Sequence, residues 1–263
     1  MSNPAEGYER FMVPPLFEPW ARRLVDAANP QAGERILDVA CGTGVVAREV
    51  ARRLGTSVTI AGLDLNPAML EVARLAAAAR GATIEWREGR AEVLPFADRS
   101  FDLVLCQFAM MFFADRRAAA AEMRRVLSGA GRLLASVWQG LERHPFYETL
   151  HRTIQSRVGI SALQDIFSLG RDEELTALFA AAGFDEVTVT PVSMTARFPG
   201  PDAFLAGEID VDTAAIPSMQ HADAETRRKI VDAIAEDMRA PLAAVTRGDN
   251  LVIDFHAQVL AAR

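Results

Sequence analysis

Hydrophobic and polar positions change period repeatedly between residues 33 and 138. Short aliphatic and β-branched runs, which are typical of buried strands, alternate with longer stretches whose apolar residues recur at helical spacing. The predicted strands are residues 36–40, 58–65, 83–86, 101–106 and 132–138. Asp115 is predicted to cap a helix that runs to about residue 127, and the SGAG segment after it is predicted to form a turn. Strands that alternate with helices of this length predict a parallel sheet with helices on both faces.

After residue 138 the pattern changes. Residues 143–170 favour helix, and residues 172–182 predict a clear helix that Gly183 ends. Residues 187–198 and 251–261 predict two long strands, separated by an irregular helical stretch. The fold class expected from the whole pattern is a doubly wound, Rossmann-like α/β protein. Its sheet is expected to be mostly parallel, with an antiparallel C-terminal strand and an inserted helical cap.

This pattern also predicts a division into three parts. Residues 1–32 form an N-terminal helical lid, residues 33–198 and 251–263 form the α/β domain, and residues 199–250 form the cap over an acceptor site. Ligands of doubly wound sheets bind at the carboxyl ends of the strands, near the point where the strand order reverses. Functional residues are therefore expected directly after the predicted strands.

Composition limits the classes of partner. The chain has 263 residues, half of them hydrophobic, and a formal net charge of −7, which disfavours a nucleic-acid partner. Its two cysteines, Cys41 and Cys106, provide neither a disulfide framework nor a metal site. We expect a cytoplasmic protein without a membrane partner, because no secretory signal begins the chain and no apolar run approaches the ~18 residues of a spanning helix. The excess of arginine over lysine indicates a bacterial source.

A glycine-rich loop between the first predicted strand and the first predicted helix carries the strongest chemical signal. It runs over residues 38–44, with the sequence DVACGTG. Gly42 and Gly44 allow a tight turn and let a ligand approach the backbone closely. Asp64 ends the second predicted strand, where a carboxylate can accept hydrogen bonds from both hydroxyls of a ribose.

The same loop also satisfies the dinucleotide fingerprint, because Gly42, Gly44 and Ala47 have the required spacing and an acidic residue follows about twenty positions on. A nicotinamide dinucleotide, however, places its pyrophosphate at the helix N-terminus. Asp38 stands at the strand end just ahead of the glycines, and its carboxylate would repel a pyrophosphate. It suits the ammonium of the methionine part of S-adenosylmethionine, which we therefore predict as the cofactor.

Four successive segments resemble the motifs of class I S-adenosylmethionine-dependent methyltransferases, specifically of the ubiquinone/menaquinone-biosynthesis type. They are ILDVACGTG, GLDLNPAMLEVAR, REGRAEVLPFADRSFDLVLCQFAMMFF and EMRRVLSGAGRLLASVW. The resemblance covers about residues 33–140 and implies a role for each matching position. In these roles Asp38 and the loop hold the methionine moiety, Asp64 holds the ribose, and Leu65 and Met69 flank the adenine. The predicted cofactor-binding residues are Asp38, Ala40, Cys41, Gly42, Gly44, Asp64, Leu65, Met69, Arg90, Ala91, Glu92, Gln107 and Tyr8.

The adenine side of the predicted site, at Arg90, and its N-terminal side, at Tyr8, each raise a further expectation. Arg90 stands where the family commonly has an aspartate that contacts the adenine amino group, so adenine recognition is expected to fall to Glu92 or to backbone near Ala91. Relatives of this kind often close the cofactor site with an N-terminal helix, which makes Tyr8 and Phe11 candidate contacts. Gln107 and Phe108 are expected to line the passage to the methyl group.

The acceptor side gives weaker signals. His144 follows the fifth predicted strand and is the candidate catalytic general base. A structural role competes for it, as for His151, His221 and His256. An apolar stripe after the fourth predicted strand, with Trp138 and Phe146, is interpreted either as core or as the wall of an apolar acceptor pocket. The stripe consists of Phe108, Met110, Met111, Phe112 and Phe113.

The function expected from these residues is methyl transfer by in-line displacement to a small, apolar or aromatic acceptor, in quinone or secondary-metabolite biosynthesis. An alternative is a protein of the same fold that binds the cofactor but catalyses a non-methylating rearrangement, or acts as a sensor. The acidic balance disfavours methylation of RNA. The oligomeric state stays open, with a homodimer as one option.

Overall fold

The computed structural model describes residues 4–159, 163–201, 204–205, 207–208 and 223–263. His221 and residues 202–203, 206 and 209–222 of the predicted cap, residues 199–250, lie outside the described residues. The role of that stretch as a cap stays a prediction.

The described chain forms eight strands and nine α-helices, and a π-helical turn, Val13–Phe17, joins the first two helices. The helices are α1 Pro4–Phe11, α2 Glu18–Ala28, α3 Val45–Leu54, α4 Pro67–Ala78, α5 Arg116–Val126, α6 Pro145–Val158, α7 Asp172–Ala181, α8 Ala224–Asp237 and α9 Arg239–Val245. The strands are β1 Arg35–Val39, β2 Thr59–Asp64, β3 Glu85–Glu88, β4 Phe101–Gln107, β5 Leu127–Trp138, β6 Val187–Pro199, β7 Thr246–Arg247 and β8 Asn250–Ala262.

All eight strands belong to one mixed sheet, and its order confirms the predicted fold class. The order is β3-β2-β1-β4-β5-β8-β6, with β7 paired to β8. The neighbours from β3 to β5 are parallel, and β8 runs antiparallel to β5. The chain order reverses at β1, so the ligand crevice expected of a doubly wound sheet opens at the carboxyl ends of β1 and its neighbours.

Local sequence signals explain where several helices begin. Asn66 caps α4 by accepting from the backbone N–H of Ala68, and Pro67 occupies the first helical position, where its missing N–H costs nothing. Asp115 caps α5 by accepting from the N–H groups of Arg117 and Ala118, as the sequence predicted. These caps fix the direction in which each helix leaves the sheet.

Two strands differ from their predicted bounds. β5 begins at Leu127 instead of residue 132, because the SGAG segment predicted as a turn forms a bulge in the pairing with β4. Phe101 pairs with Leu127 and Leu103 pairs with Arg132, so the bulge absorbs the extra residues of β5. β3 lies two residues later than predicted, in a short strand that pairs with β2.

The chain divides into two compact units. The first comprises Met1–Trp138, Leu169–Val192 and Ala257–Arg263, and the second comprises Gln139–Ser168 and Ser193–His256. The core of the first unit contains Ile36 and Leu103 from the sheet and Val46 from α3. None of the described helices combines the length and the apolar character needed to cross a membrane.

Candidate cofactor site

Asp38 lies at the carboxyl end of β1 and is almost fully buried, at 1% exposed. Its Oδ2 accepts a hydrogen bond of 3.0 Å from the backbone N–H of Ala47, in the first turn of α3. Burial raises the pKa of Asp38 to about 7, and the nearby charge of Asp64 adds to this, while the bond from Ala47 opposes it. The carboxyl group of Asp38 therefore lies at the N-terminus of α3, and its single hydrogen bond only partly offsets the cost of burying its charge.

The loop between Asp38 and α3 turns through left-handed backbone conformations. Ala40, Gly42 and Gly44 have φ angles of 53°, 55° and 79°. Glycine adopts such angles without steric cost, whereas Ala40 does so against its preference. The backbone N–H of Cys41 donates to the carbonyl of Leu63 at 2.9 Å, which ties the loop to the end of β2.

Asp64 ends β2 and anchors the loop from the other side. Its carboxylate accepts from the N–H of Gly42 at 2.7 Å and from the N–H of Asn66 at 2.8 Å. The side chain is only half-buried, and a carboxylate offers about four acceptor positions. Asp64 therefore retains capacity to accept from the hydroxyls of a ligand.

The structure brings the predicted adenine contacts to the ends of neighbouring strands β2 and β3. Leu65 directly follows Asp64 and is exposed despite its apolar side chain, at 56%. Met69 lies one helical turn on, half-buried, and Ala91 is buried after β3. The exposed side chain of Leu65 next to Asp64 is compatible with the predicted adenine contact, which stays a prediction.

Two neighbours of Ala91 have other partners. Glu92 accepts from the backbone N–H of Ala114 at 3.0 Å and from the exposed guanidinium of Arg90 at 3.2 Å. Its carboxylate thus stabilises the loop before α5. Both hydrogen bonds go to Oε1 of Glu92, so the predicted adenine role of Glu92, or of backbone near Ala91, stays a prediction.

An aromatic cluster lies at the carboxyl ends of β4 and β5. We define it by the residues Tyr8, Phe17, Trp20, Phe108 and Trp138. The Phe108 ring stacks on Trp138 with 3.6 Å between centroids, and Trp20 meets both rings edge-on. Phe108 has a φ of 51°, so the backbone accepts strain at the point where this ring is placed.

Met110 and Met111 are buried, whereas Phe112 is exposed, so the predicted apolar stripe divides between core and surface.

The N-terminal helix reaches the site through two adjacent residues. Burial raises the pKa of the Tyr8 hydroxyl, with further contributions from the charges of Glu9 and Asp64, which places Tyr8 near the ribose candidate. Glu9 pairs at 2.8 Å with Arg48, whose side chain is 5% exposed and whose Nε donates to the carbonyl of Gly44. Sequence reasoning predicted Tyr8 but missed Glu9 and Arg48, because neither belongs to a recognisable motif.

Buried polar atoms at this edge fit a polar ligand. The Thr43 hydroxyl in the loop and the Gln107 Oε1 at the end of β4 are buried and have no hydrogen-bond partner within the described part of the chain. The Gln107 amide Nε2 donates to the carbonyl of Phe17 at 3.2 Å, which fixes its orientation. Since native proteins seldom leave such groups unsatisfied, these two atoms are consistent with a polar ligand at this edge of the sheet.

Comparisons with known proteins identify the family. Residues 36–131 match the methyltransferase domain family. A demethylmenaquinone methyltransferase of Thermus thermophilus is 43% identical over 115 residues, 44% of this chain and 52% of the relative. An aklanonic acid methyltransferase of a Streptomyces species is 38% identical over 127 residues, 48% of this chain and 57% of the relative. A ubiquinone/menaquinone biosynthesis C-methyltransferase of Xylella fastidiosa is 33% identical over 181 residues, 63% of this chain and 72% of the relative.

The chain belongs to the class I S-adenosylmethionine-dependent methyltransferases of the ubiquinone/menaquinone-biosynthesis type. This membership confirms the predicted family and the predicted cofactor of that family. A solved structure, YcgJ from Bacillus subtilis, has a TM-score of 0.60 at 22% identity, covers 92% of this chain and 97% of its own, and shows the fold alone. The chain spans about half the length of the first two relatives, so its activity and substrate are matters of inference.

The geometry of His144 favours the structural role that competes with its predicted role as the general base. His144 belongs to the second unit and is 1% exposed. Its Nε2 accepts from the backbone N–H of His256 at 3.0 Å, and its Nδ1 lies 3.1 Å from the carbonyl of Gly140, to which it can only donate. Burial lowers its pKa to about 4. Both ring nitrogens are engaged by backbone, as expected of a structural histidine in this methyltransferase.

Proposed function

We propose that this methyltransferase transfers the methyl group of S-adenosylmethionine to a small, apolar or aromatic organic acceptor. The observation that carries the proposal is the pair of carboxylates, Asp38 and Asp64, on either side of a glycine loop with left-handed backbone. Two carboxylates beside a helix N-terminus disfavour a pyrophosphate and favour a ligand with an ammonium and free hydroxyls.

Each group of residues then has a role in holding the cofactor. Asp38 would pair with the ammonium of the methionine part, and Asp64 would accept from the ribose hydroxyls. The loop residues Ala40, Cys41, Gly42 and Gly44 would present backbone to the methionine part, and Leu65, Met69 and Ala91 would enclose the adenine. Arg90 and Glu92 would support that side through their ion pair. Tyr8 would close the site as part of a lid formed by residues 1–32.

The protein's contribution to the reaction is alignment and exclusion of water. The bound cofactor would supply a methyl group activated on a sulfonium and would leave as S-adenosylhomocysteine. The protein would hold the acceptor atom in line with the carbon–sulfur bond, and a hydroxyl acceptor would release its proton to water or to a base. Within the aromatic cluster Trp20, Phe108 and Trp138 are buried, whereas Tyr8 and Phe17 are half-buried. The Tyr8 and Phe17 rings, the latter next to the carbonyl that accepts from Gln107, would offer apolar surface to an aromatic acceptor. The named substrates of the relatives, a quinone precursor and aklanonic acid, agree with this class of acceptor.

The setting of the reaction is part of the same proposal. We infer a bacterial, cytoplasmic enzyme whose partner is a free small molecule, because the chain is acidic overall and its relatives are bacterial. A net charge of −7 does not favour a nucleic-acid acceptor.

A transfer assay tests the proposal. S-adenosylmethionine labelled in its methyl group is incubated with the protein and a panel of flat hydroxylated aromatic acceptors, with polar sugars and RNA as comparison substrates. We expect labelled product from the aromatic acceptors, and at least a hundredfold loss of kcat/KM in Asp64→Ala, equivalent to about 2.7 kcal/mol. Label on RNA alone, or full activity in Asp64→Ala, would contradict the proposal.

A further inference from the structure

A row of three residues crosses the sheet beside the glycine loop. Asp38 in β1 is paired in register with Gly62 in β2, and Gly62 is paired with Trp86 in β3. Residues in register on parallel strands project on the same face of the sheet. On that face Asp38 accepts its hydrogen bond from the first turn of α3. Trp86 therefore also projects toward α3, and Gly62, which has no side chain, lies between the two residues.

Two glycines leave the space that the indole of Trp86 fills. A Cβ at Gly62 would lie 2.5 Å from Cζ3 of Trp86, and a Cβ at Gly44 would lie 2.3 Å from its Cη2. Neither position can carry a side chain while the indole stays in place. Gly62 sits in regular strand backbone, so the indole, and not a left-handed φ, accounts for glycine there.

The N-terminus of α3 is consequently held from two sides. Asp38 holds Ala47 through its hydrogen bond, and the indole edge lies against Gly44, the N-cap of the helix. The glycine loop lies between these two contacts, and the N–H of Gly42 donates a hydrogen bond to the carboxylate of Asp64. A shift of the indole would move Gly44 and the backbone groups that follow it.

We propose that Trp86 is a positioning residue for the cofactor: its indole, seated against Gly62 and Gly44, sets the height of the glycine loop above the sheet. The inference rests on the proposed function, because it takes this loop as the cofactor loop. Misplacement of binding groups by about 1 Å can cost a hundredfold in catalysis, so packing behind a loop can decide how well the loop binds.

Three variants test the role of the indole. Trp86→Leu removes the contact with Gly44, and we expect the Kd for S-adenosylhomocysteine to rise about tenfold, or about 1.4 kcal/mol. Gly62→Ala displaces the indole and should weaken binding at least as much. In Gly62→Ala/Trp86→Leu the clash is gone, so this double variant should bind more tightly than Gly62→Ala alone.

Two further measurements separate positioning from general stability. Ile60→Val removes a buried methyl group from the amino half of β2 and should lower the melting temperature without changing the Kd. Amide hydrogen exchange at Gly42 and Gly44, measured without ligand, should accelerate in Trp86→Leu and at least as much in Gly62→Ala. The double variant should exchange at about the rate of Trp86→Leu, because both lack the indole. Trp86→Phe, whose ring can cover Gly62 but is too short to reach Gly44, serves if Trp86→Leu does not fold.

The outcomes distinguish this inference from the proposed function. Wild-type protein that fails to bind S-adenosylhomocysteine would overturn both. Wild-type binding with an unchanged Kd in the Trp86 variants would overturn the positioning role alone. A double variant that binds no better than Gly62→Ala, or an Ile60→Val variant that loses as much affinity as Trp86→Leu, would also overturn it.

Discussion

At the scale of single residues, function and stability oppose each other most clearly at Asp38. Its carboxyl group is buried with one hydrogen bond and no cationic partner among the described residues, and its pKa is raised to about 7. Burying an unpaired charge destabilises a fold, and such residues persist where they serve binding. An ammonium beside Asp38 would favour the ionised form and so restore the balance.

Asp38→Asn is therefore expected to stabilise the ligand-free protein above neutral pH. The pKa of Asp38 is higher in the folded chain than its ordinary value of 3.8, so its ionisation opposes folding increasingly as the pH rises through this window to about 7. At pH 8 we expect the free energy of unfolding to be about 2 kcal/mol higher in Asp38→Asn than in wild type. Each unit of the pKa shift corresponds to about 1.4 kcal/mol, and a weaker hydrogen bond between asparagine and the N–H of Ala47 reduces the gain. Urea denaturation at pH 8 and pH 5 measures it, and an equal gain at both values would contradict the account.

His144 is expected to contribute to stability and not to proton transfer. His144→Ala leaves the N–H of His256 and the carbonyl of Gly140 without their partner, which should cost about 2–3 kcal/mol in urea denaturation at pH 7.5. Because its folded pKa lies below 6.5, this contribution is present above pH 6.5 and is lost as the pH falls toward about 4. An Ala variant as stable as wild type but inactive would reinstate the general base.

Sequence reasoning predicted the positions of residues that belong to a motif, and their roles in binding stay predictions. Asp38, Asp64 and the two loop glycines stand at strand ends where the pattern predicted them, and the structure brings them together. Arg48 and Trp86 act through contacts with residues distant along the chain, so no local pattern reveals them. One signal for Trp86 was available, since a glycine inside a strand pattern indicates close approach of another group.

At the scale of elements, α1 is fastened to the glycine-loop helix. Glu9 in α1 pairs with Arg48 in α3, and the guanidinium also donates to Gly44. The pair is largely buried, so removal of the carboxylate leaves a cation without its partner, which is more costly than loss of a surface pair. The connection indicates that the position of α1 and the geometry of the loop depend on each other.

Glu9→Gln is expected to loosen the N-terminal helix. Amide exchange in α1 should accelerate, and S-adenosylhomocysteine should dissociate several-fold faster, because α1 carries Tyr8 toward Asp64. Glu71→Gln, which breaks an exposed pair with Arg74 on α4, is the matched control and should change neither quantity. Unchanged exchange in α1 would show that the ion pair does not hold the helix.

Element prediction worked best where the hydrophobic period was sustained. α5 begins after Asp115 and α7 ends before Gly183, as their signals predicted. Errors arose where pairing overrode local preference: SGAG became a bulge because β4 continues beside it, and β3 moved because its register follows β2. Tertiary pairing of this kind has no counterpart in the local sequence.

At the scale of the whole molecule, the site and the family match fall in the same unit. The matched residues, 36–131, lie entirely within the first unit, which also holds Asp38, Asp64 and the aromatic cluster. The second unit lies outside that match, and the relatives carry names that refer to different acceptors. We therefore expect donor binding to depend on the shared motifs, and acceptor choice to depend mainly on the parts of the chain that the domain match leaves out.

The most direct test of the central claim is a calorimetric titration of wild type and Asp38→Ala with S-adenosylhomocysteine, with NADH titrated in parallel. We expect micromolar binding of S-adenosylhomocysteine to wild type, about a hundredfold weaker binding to the variant, equivalent to about 2.7 kcal/mol, and no binding of NADH. Binding of NADH in preference, or equal affinity of folded Asp38→Ala for S-adenosylhomocysteine, would contradict the assignment of this loop to the methyl donor.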